Sequence, residues 1–236
     1  MNIALLTAAG SGSRMHQDIP KQFIHINNKP LIIYTLEVFQ AHPSIDAIMV
    51  VGLEGWIEIL WAYAKQFNIT KLKWVVVGGE TNQESIRNGI LELQKNCSPQ
   101  DAIMIHDGNR AYVSEEIISD SLAKYTLYGS AVAAVPCVEA VFRSDDGLSS
   151  ETNIPREQLY RTQTPHTYSL RKLIWAHELA KEKDIRKSVA TCDLMCQLGE
   201  RIYFSLGSEK NIKITTVDDI EIFKALLASQ KDSWIK

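Results

Sequence analysis

A turn of small residues near the start of the chain carries the residue types that bind phosphate. The apolar run at residues 2–7 leads into it, and two cations, Arg14 and Lys21, follow closely. Glycine leaves backbone N–H groups open to an anion, and the cations complement phosphate charge. The form GxGxR is neither a Walker loop nor a GxGxxG turn, and a tight strand-to-helix connection is the alternative. We predict a nucleotide polyphosphate site here, formed by Ala8, Ala9, Gly10, Ser11, Gly12 and Ser13.

A carboxylate follows a second apolar run. His106-Asp107-Gly108 comes directly after residues 102–105. An aspartate at the carboxyl end of a buried strand is typical of a site that holds a metal through phosphate oxygens. The alternative is an aspartate that caps a turn or helix. Arg110 is a candidate anion ligand, whereas His106 is either a base or, more commonly for a lone histidine, a structural hydrogen-bonding group.

Three further segments contain polar groups suited to a nucleotide or a phosphate. Gly79 and Glu80 open a helix whose free N–H groups, together with Ser85, could bind a base or ribose, although Ser85 could equally be a surface serine. Arg156 and Thr164 belong to a connector rich in arginine, hydroxyl and amide groups. The alternation at residues 211–215 predicts a strand with Lys213 on one face, as a phosphate ligand or an exposed edge lysine.

Predicted elements of an α/β fold position these residues. Residues 2–7, 47–52, 72–77 and 102–105 are nearly continuous apolar runs, which is typical of buried parallel strands. Helix-like spacing lies between them at residues 30–41, 55–67 and 83–95. This order predicts a doubly wound, mostly parallel sheet, with the ligand site beyond the carboxyl ends of its strands.

The second half of the chain is less regular. Residues 130–142 begin as another buried strand, and a turn-rich polar stretch to about residue 155 predicts a β-hairpin arm that protrudes from the core. Residues 168–182 and 217–230 are predicted to be helices. We expect a single domain over residues 1–236, with the arm at about 137–160.

Composition narrows the class of protein. With 236 residues and 45% apolar content, the chain can bury a substantial core. Its net charge of −3 gives no general attraction to nucleic acid or to an anionic membrane, so we expect neither as a partner. The four cysteines are not paired as in a zinc or redox motif, and no apolar run is long enough to span a bilayer. A cytoplasmic protein is the simplest interpretation.

Taken together, the motifs resemble one family closely. The chain is similar, over residues 1–230, to the bacterial cytidylyltransferases that activate polyol phosphates, whose substrates include 2-C-methyl-D-erythritol 4-phosphate, ribitol 5-phosphate and a glycerol phosphate. The motifs that carry the resemblance occur in the family's order: AAGSGSRM, PKQF, GGETNQESI, HDGNR, REQLYRTQTPHTY and NIKITTVDD.

The resemblance implies a Rossmann-like nucleotidyltransferase fold and a role for each motif. The glycine turn, Gly79, Glu80 and Ser85 would bind CTP, and Arg14, Lys21 and Lys213 would be the catalytic cations. Asp107 would lie near Mg²⁺ and, with Arg110, near the polyol phosphate. Arg156, followed by Thr164, would belong to a dimer arm that reaches the partner's site. The implied partners are CTP, a small polyol phosphate and a second copy of the chain.

Departures from the methylerythritol pattern favour another acceptor. Asn82 stands where those enzymes have arginine, Ala140 where they have a substrate-facing threonine, and Ala111 where they have proline. We therefore expect ribitol 5-phosphate or a glycerol phosphate as the acceptor, with the methylerythritol enzyme as the runner-up. A nucleotide-sugar pyrophosphorylase and a non-catalytic nucleotide-binding regulator are alternatives of other kinds.

Overall fold

The computed structural model of the chain describes residues 1–10 and 19–231. The strands are β1 (Asn2–Ala8), β2 (His25–Ile26), β3 (Lys29–Pro30), β4 (Ala47–Gly52), β5 (Leu72–Val77), β6 (Ala102–Asp107), β7 (Ser130–Pro136), β8 (Val141–Arg143), β9 (Thr152–Ile154), β10 (Tyr160–Ser169) and β11 (Phe204–Leu206). The α-helices are α1 (Leu31–Ala41), α2 (Ile57–Gln66), α3 (Asn82–Asn96), α4 (Glu115–Tyr128), α5 (Leu170–Glu182), α6 (Thr191–Gln197) and α7 (Val217–Lys231).

A seven-stranded sheet forms the centre of the molecule. Its strand order is β11-β7-β10-β6-β1-β4-β5. Strand β10 runs antiparallel to β6 and β7, whereas the other paired neighbours are parallel. Strand β1 lies between β4 and β6, so the order reverses beside it. In an α/β sheet of this kind, that reversal opens a crevice at the carboxyl ends of the strands.

Each face of the sheet is covered by helices, because the strands are apolar on both sides. In β1, Ala4 and Leu6 pack into one core with Ile32, Leu36 and Phe39 of α1. The intervening residues Ile3 and Leu5 pack into a second core on the opposite face, where the partners include Ile86, Ile90 and Leu93 of α3. This two-sided burial confirms the predicted doubly wound, mostly parallel α/β sheet.

The strands and helices predicted in the first half agree with the structure to within about two residues. The predicted arm is also present as the hairpin of β8 and β9, which pair antiparallel from Val141 and Ile154 to Arg143 and Thr152. The hairpin is largely exposed, and Leu148 at its tip is 93% exposed. In the described residues, no helix is both long and apolar enough to cross a membrane.

One predicted strand was wrong. Residues 211–215 form an irregular segment and not a strand with one site-facing side. Asn211 is fully buried, whereas the backbone N–H and hydroxyl of Thr215 both donate to Asp219 Oδ2 at the start of α7. The alternation of polar residues therefore reflects specific hydrogen bonds to different elements, and it does not reflect strand geometry.

Candidate functional site

The carboxyl ends of β1 and β6 meet at the crevice beside the strand-order reversal. Thr7 and Asp107 are directly paired across these two strands. Two clefts open here. The glycine cleft, of about 170 Å³, is lined by Thr7, Ala8, Ala9, Gly10, Lys21, Gln22, Gly79, Glu80, Thr81, Asn82, Ser85, Asp107, Asn109 and Lys213.

The buried side-chain amide of Gln22 fixes the backbone at the end of β1. Gln22 is 2% exposed, and its Nε2 donates to the carbonyl oxygens of Ala8 and Gly10 at 2.7 and 3.3 Å. These bonds satisfy the carbonyl oxygens of Ala8 and Gly10 and fix the backbone of these residues where it lines the glycine cleft. Gly78 permits the neighbouring loop to approach, because a Cβ there would lie 2.2 Å from Ala9 Cβ.

The amino end of α3 forms the opposite wall of the glycine cleft. Thr81 caps the helix, and its side chain accepts from the Glu84 N–H while Glu84 bonds back, which is a capping box. Ser85 is buried, and its Oγ accepts from the Gly79 N–H at 3.1 Å. Ser85 is therefore not a surface serine, and it fixes the Gly79 backbone at the cleft.

Asp107 lies between two cations at the junction of the site. Its Oδ1 accepts from Lys213 Nζ and its Oδ2 from Arg110 Nε, each at 3.0 Å. Its backbone N–H donates to Thr164 Oγ1 at 3.0 Å. Burial raises the pKa of this carboxyl, but the two cations outweigh burial and hold the pKa at about 2. Asp107 is consequently ionised at neutral pH.

Buried amides hold the Lys213 segment against the sheet. The Asn109 side chain donates to the Ile214 carbonyl, and the Ile214 N–H donates back to the Asn109 carbonyl. Asn211 Nδ2 donates to the Thr164 carbonyl at 2.9 Å, and Arg110 Nη1 donates to the Asn211 carbonyl at 2.6 Å. These hydrogen bonds, and not the predicted strand, hold Lys213 in position.

A second cleft, of about 240 Å³, lies next to the first. This threonine cleft is lined by Thr7, Asn82, Ile86, Ile105, Asp107, Arg110, Thr162, Gln163, Thr164, His166, Val189, Ala190, Thr191 and Lys213. His166 and Thr191 are 2% and 4% exposed, and in the described residues neither ring nitrogen of His166 nor Thr191 Oγ1 has a hydrogen-bond partner. Burial lowers the pKa of His166 to about 4, so its ring is neutral at pH 7. Such a ring can both donate and accept.

The two clefts share the residues on which transfer between them would depend. Thr7, Asn82, Asp107 and Lys213 line both clefts. A group bound in one cleft would therefore be close to a group bound in the other, with a cation and an ionised carboxylate between them. This arrangement is suited to charge stabilisation during a transfer between two anionic ligands.

The structure brings together most of the residues predicted from sequence. Ala8, Ala9, Gly10, Lys21, Gly79, Glu80 and Ser85 line the glycine cleft, Arg110 and Thr164 line the threonine cleft, and Asp107 and Lys213 line both. Arg14, Ser11, Gly12 and Ser13 lie outside the described residues. Arg156 is exposed on the arm side, where its Nη1 donates to the Val138 carbonyl, and it lines neither cleft.

His106 occupies a structural position. It is fully buried, it contacts Phe39 with ring centroids 5.2 Å apart, and its Nε2 bonds to the Arg110 carbonyl at 3.2 Å. Burial lowers the pKa of His106 to about 4. A ring buried behind Asp107 cannot reach a ligand, so the base alternative is wrong and the structural alternative is confirmed.

The polar residues of the site that were not predicted from sequence include Gln22, Asn109, Gln163 and His166, which lie in the motifs, and Thr191, which does not. Gln22 lies next to Lys21, and Asn109 lies between two predicted ligands. The only sequence feature that could have identified most of them is an uncharged polar side chain inside a recognisable motif. Only its burial in the fold distinguishes such a side chain from a surface one.

The described residues fit a metal that is bound mainly by phosphate. No cluster of three His, Cys, Asp or Glu side chains able to hold a metal alone occurs among them. Mg²⁺ in nucleotide sites is commonly held by one or two carboxylates together with substrate phosphates. Asp107, ionised and lining both clefts, is a carboxylate of this kind.

Comparison with known proteins gives a consistent family match. A family model described as "IspD: 2-C-methyl-D-erythritol 4-phosphate cytidylyltransferase" matches residues 2–229. A ribitol-5-phosphate cytidylyltransferase of Lacticaseibacillus paracasei is 41% identical, over 98% of this chain and all of the relative. A protein of the same name from Vibrio parahaemolyticus is 37% identical, over 98% of each chain. A 2-C-methyl-D-erythritol 4-phosphate cytidylyltransferase of Clostridium botulinum is 34% identical, over 96% of this chain and 97% of the relative.

Solved structures show the same fold. The 2-C-methyl-D-erythritol 4-phosphate cytidylyltransferase of Francisella tularensis superposes with a TM-score of 0.79 at 26% identity, over 95% of this chain and 99% of that one. The protein of the same name from Thermus thermophilus superposes with a TM-score of 0.74 at 22% identity, over 97% of this chain and 100% of that one. At the latter identity the likeness concerns the fold alone.

Proposed function

The chain belongs to the IspD family of 2-C-methyl-D-erythritol 4-phosphate cytidylyltransferases, and from that premise we propose that it transfers CMP from CTP to a polyol phosphate, with ribitol 5-phosphate as the favoured acceptor. The products are a CDP-alditol and pyrophosphate. The observation that carries this proposal is the pair of clefts that share Asp107 and Lys213.

We assign CTP to the glycine cleft. Its walls contain Ala8, Ala9 and Gly10 at the end of β1 and Gly79, Glu80 and Ser85 at the capped amino end of α3. The N–H groups of Gly79 and Glu80 are engaged by Ser85 and Glu84, so this end of the helix contributes a rigid polar wall. Lys21 and Lys213 supply positive charge to the lining of the cleft. Arg14, Ser11, Gly12 and Ser13 are proposed to continue this cradle, as the resemblance implies.

We assign the polyol phosphate to the threonine cleft. Arg110 and Lys213 offer cations for its phosphate, and His166 and Thr191 offer buried polar atoms without partners for its hydroxyl groups. An unsatisfied buried polar atom is costly, so a hydroxylated ligand that pairs with these groups is favoured over an apolar one. The polyol chain of ribitol 5-phosphate supplies such hydroxyls.

The proposed reaction is a direct displacement. A phosphate oxygen of the acceptor attacks the α-phosphorus of CTP, a new P–O bond forms, and the bond to the β-phosphate oxygen breaks to release pyrophosphate. Catalysis then consists mainly of alignment and of stabilising the charge that accumulates around the α-phosphorus. A phosphate monoester has a second pKa of about 6, so it is largely ionised at neutral pH and needs no strong general base.

Lys213 has the central role in this scheme because it lines both clefts. Asp107 holds the lysine ammonium by a hydrogen bond and, being ionised, keeps it at the junction. Asp107 is also the proposed protein ligand of Mg²⁺, with the phosphates of CTP as the others. Bound Mg²⁺ would neutralise phosphate charge and make pyrophosphate a better leaving group.

We propose a homodimer in which the arm completes the partner's site. The hairpin of β8 and β9 is exposed, and Arg156 at its base lines neither cleft of its own chain. The exposed side chains of Val138, Phe142 and Tyr160 give this arm an apolar surface suited to a partner. Arg156 would then contribute a cation to the threonine cleft of the other subunit.

The test is a direct comparison of donors and acceptors. The protein is incubated with Mg²⁺, each of the four nucleoside triphosphates in turn, and either ribitol 5-phosphate, glycerol 3-phosphate or 2-C-methyl-D-erythritol 4-phosphate, and pyrophosphate release is measured. We expect release with CTP and the highest kcat/KM with ribitol 5-phosphate. A parallel incubation replaces the acceptor with a sugar 1-phosphate. Pyrophosphate release with UTP and the sugar 1-phosphate, or CTP binding without pyrophosphate release from any acceptor, would contradict the proposal.

The methylerythritol reaction is the second candidate, because the family model and a 34% identical relative carry that name. Asn82 argues against it. This residue lines both clefts at the position where arginine is usual in those enzymes. A higher kcat/KM with 2-C-methyl-D-erythritol 4-phosphate than with ribitol 5-phosphate would favour the second candidate.

A further inference from the structure

A third cavity, which shares no lining residue with the two clefts, lies between α3 and α5. It has a volume of about 410 Å³, larger than either cleft and within the usual range of small-molecule sites. The cavity is lined by Gln83, Glu84, Arg87, His177, Lys181, Asp184, Ile185 and Arg186. We refer to it as the α3–α5 cavity.

A buried histidine without partners lines the α3–α5 cavity. His177 of α5 is 5% exposed, and in the described part of the chain neither of its ring nitrogens has a hydrogen-bond partner. Burial, with a smaller contribution from Arg87, lowers the pKa of His177 to about 4, so the ring is neutral at pH 7. A neutral imidazole has one donor and one acceptor nitrogen, and a hydroxyl group can pair with either of them.

The cavity also carries unbalanced positive charge. Within the described residues, neither Arg87 nor Lys181 makes an ion pair or a side-chain hydrogen bond. The two acidic side chains of the cavity are already engaged. Glu84 Oε2 accepts from the Glu80 N–H at 2.9 Å, and Asp184 pairs with Arg186. Asp184 offsets Arg186, and the carboxylate of Glu84 remains against Arg87 and Lys181, so the lining keeps a net charge of +1 that attracts an anion.

We propose that the α3–α5 cavity is a second ligand site, which binds the phosphate monoester of a small hydroxylated molecule. The phosphate lies between Arg87 and Lys181, since arginine and lysine are the side chains best suited to a phosphate dianion. A hydroxyl of the same molecule pairs with His177, and Ile185 packs against its carbon atoms. Inorganic phosphate between the two cations would lack both the carbon atoms that pack against Ile185 and the hydroxyl that pairs with His177.

Phosphate compounds also bind the catalytic clefts, so the test needs a signal that belongs to the α3–α5 cavity. The ring nitrogens of His177 supply it in a long-range ¹H–¹⁵N correlation spectrum, assigned by its loss in His177→Asn. Glycerol 2-phosphate is titrated into the full-length protein, with inorganic phosphate in a parallel titration. We expect a saturable shift of the His177 signals with glycerol 2-phosphate, and weaker binding of inorganic phosphate.

Two lysine variants provide the matched comparison. Lys181→Met removes a cation of the cavity, whereas Lys183→Met removes an exposed neighbouring lysine that does not line it. Neither lysine is packed in a core, so both variants should fold, and thermal unfolding checks this. We expect affinity measured at His177 to fall about tenfold in Lys181→Met and to stay unchanged in Lys183→Met. No saturable shift, equal losses in both variants, or equal affinity for inorganic phosphate would overturn the proposal.

Discussion

Lys213 and Asp107 are the two charged residues that line both clefts. Asp107 has one carboxylate oxygen on Lys213 and the other on Arg110, so both cations stay in place before any ligand binds. A preorganised cation costs little reorganisation when charge develops in the transition state. The proposed chemistry therefore depends on the position of the Lys213 ammonium, and not on a proton transfer.

Replacement of Lys213 tests this role. We expect Lys213→Met to lower kcat by about a hundred- to a thousandfold, with a smaller effect on CTP affinity, because other groups of the glycine cleft still bind the nucleotide. Steady-state kinetics and CTP titration calorimetry measure the two quantities. Lys210→Met removes an exposed lysine of the same segment and should leave both unchanged. Equal activity of the two variants would remove Lys213 from the mechanism.

The pH dependence tests the charge state of Asp107. The pKa of this carboxyl is depressed to about 2, so its ionised form and the stability it contributes are present above about pH 4 and are lost only as pH falls toward 2. Asp107 should therefore give no limb in a pH profile between pH 5 and 9. We expect kcat/KM to fall below about pH 6, where the acceptor phosphate gains a proton. A profile that stays flat down to pH 5 would contradict a requirement for the acceptor dianion.

At the scale of elements, the amino end of α3 links the nucleotide wall to the loop at residues 185–191. Gln83 Nε2 donates to the Ile185 carbonyl at 2.7 Å, and its Oε1 accepts from the N–H and hydroxyl of Ser188. The same loop continues to Val189, Ala190 and Thr191, which line the threonine cleft. One side chain therefore holds a wall of the proposed acceptor site.

Loss of this link should affect the acceptor more than the nucleotide. We expect Gln83→Leu to raise KM for ribitol 5-phosphate about tenfold and to leave KM for CTP nearly unchanged, since the glycine cleft does not include the loop. Gln94→Leu, on the exposed side of the same helix, is the control. A parallel rise of both KM values would mean that Gln83 only stabilises the helix.

Whether a strand can be predicted from sequence depends on what covers its two faces. Strands β1, β4 and β6 are covered on both faces, so their sequences are continuous apolar runs that can be recognised without a structure. Strand β10 has polar side chains and a proline in its sequence, YRTQTPHTYS, and its pairing with β6 and β7 is a long-range property. Its residues were recognised as a site segment but not as a strand.

The residues of the site divide in the same way, into those that the sequence alone could identify and those that only the fold reveals. Lys21, Asp107 and Arg110 are charged residues in short motifs, so the sequence alone predicts them as ligands of a phosphate or a metal. Gln22 and Asn109 act through carbonyl groups brought to them by folding, at Ala8 and at Ile214. No local pattern distinguishes such an amide from an exposed one. The predicted strand around Lys213 was wrong for a related reason, because hydrogen bonds from Asn109 and Asn211 shape that segment.

At the scale of the whole molecule, the proposed dimer predicts that two inactive variants rescue each other. A Lys213→Met subunit keeps Arg156 on its arm, and an Arg156→Ala subunit keeps Lys213 in its clefts. If the arms exchange, a mixed dimer has one intact site, and random mixing restores about a quarter of wild-type activity. Mixing Lys213→Met with Lys21→Ala is the control, because both residues line clefts of their own chain and no rescue is expected. Absence of rescue in the first mixture would contradict the shared site.

The most direct test of the central claim follows the oxygen atoms of the acceptor. Ribitol 5-phosphate with ¹⁸O in its non-bridging phosphate oxygens is incubated with CTP, Mg²⁺ and the protein, and the products are analysed by mass spectrometry. Attack of the acceptor phosphate on the α-phosphorus at the junction of the two clefts predicts CDP-ribitol that retains all of the label and pyrophosphate that carries none. Label in pyrophosphate, or no CDP-ribitol at all, would contradict the account.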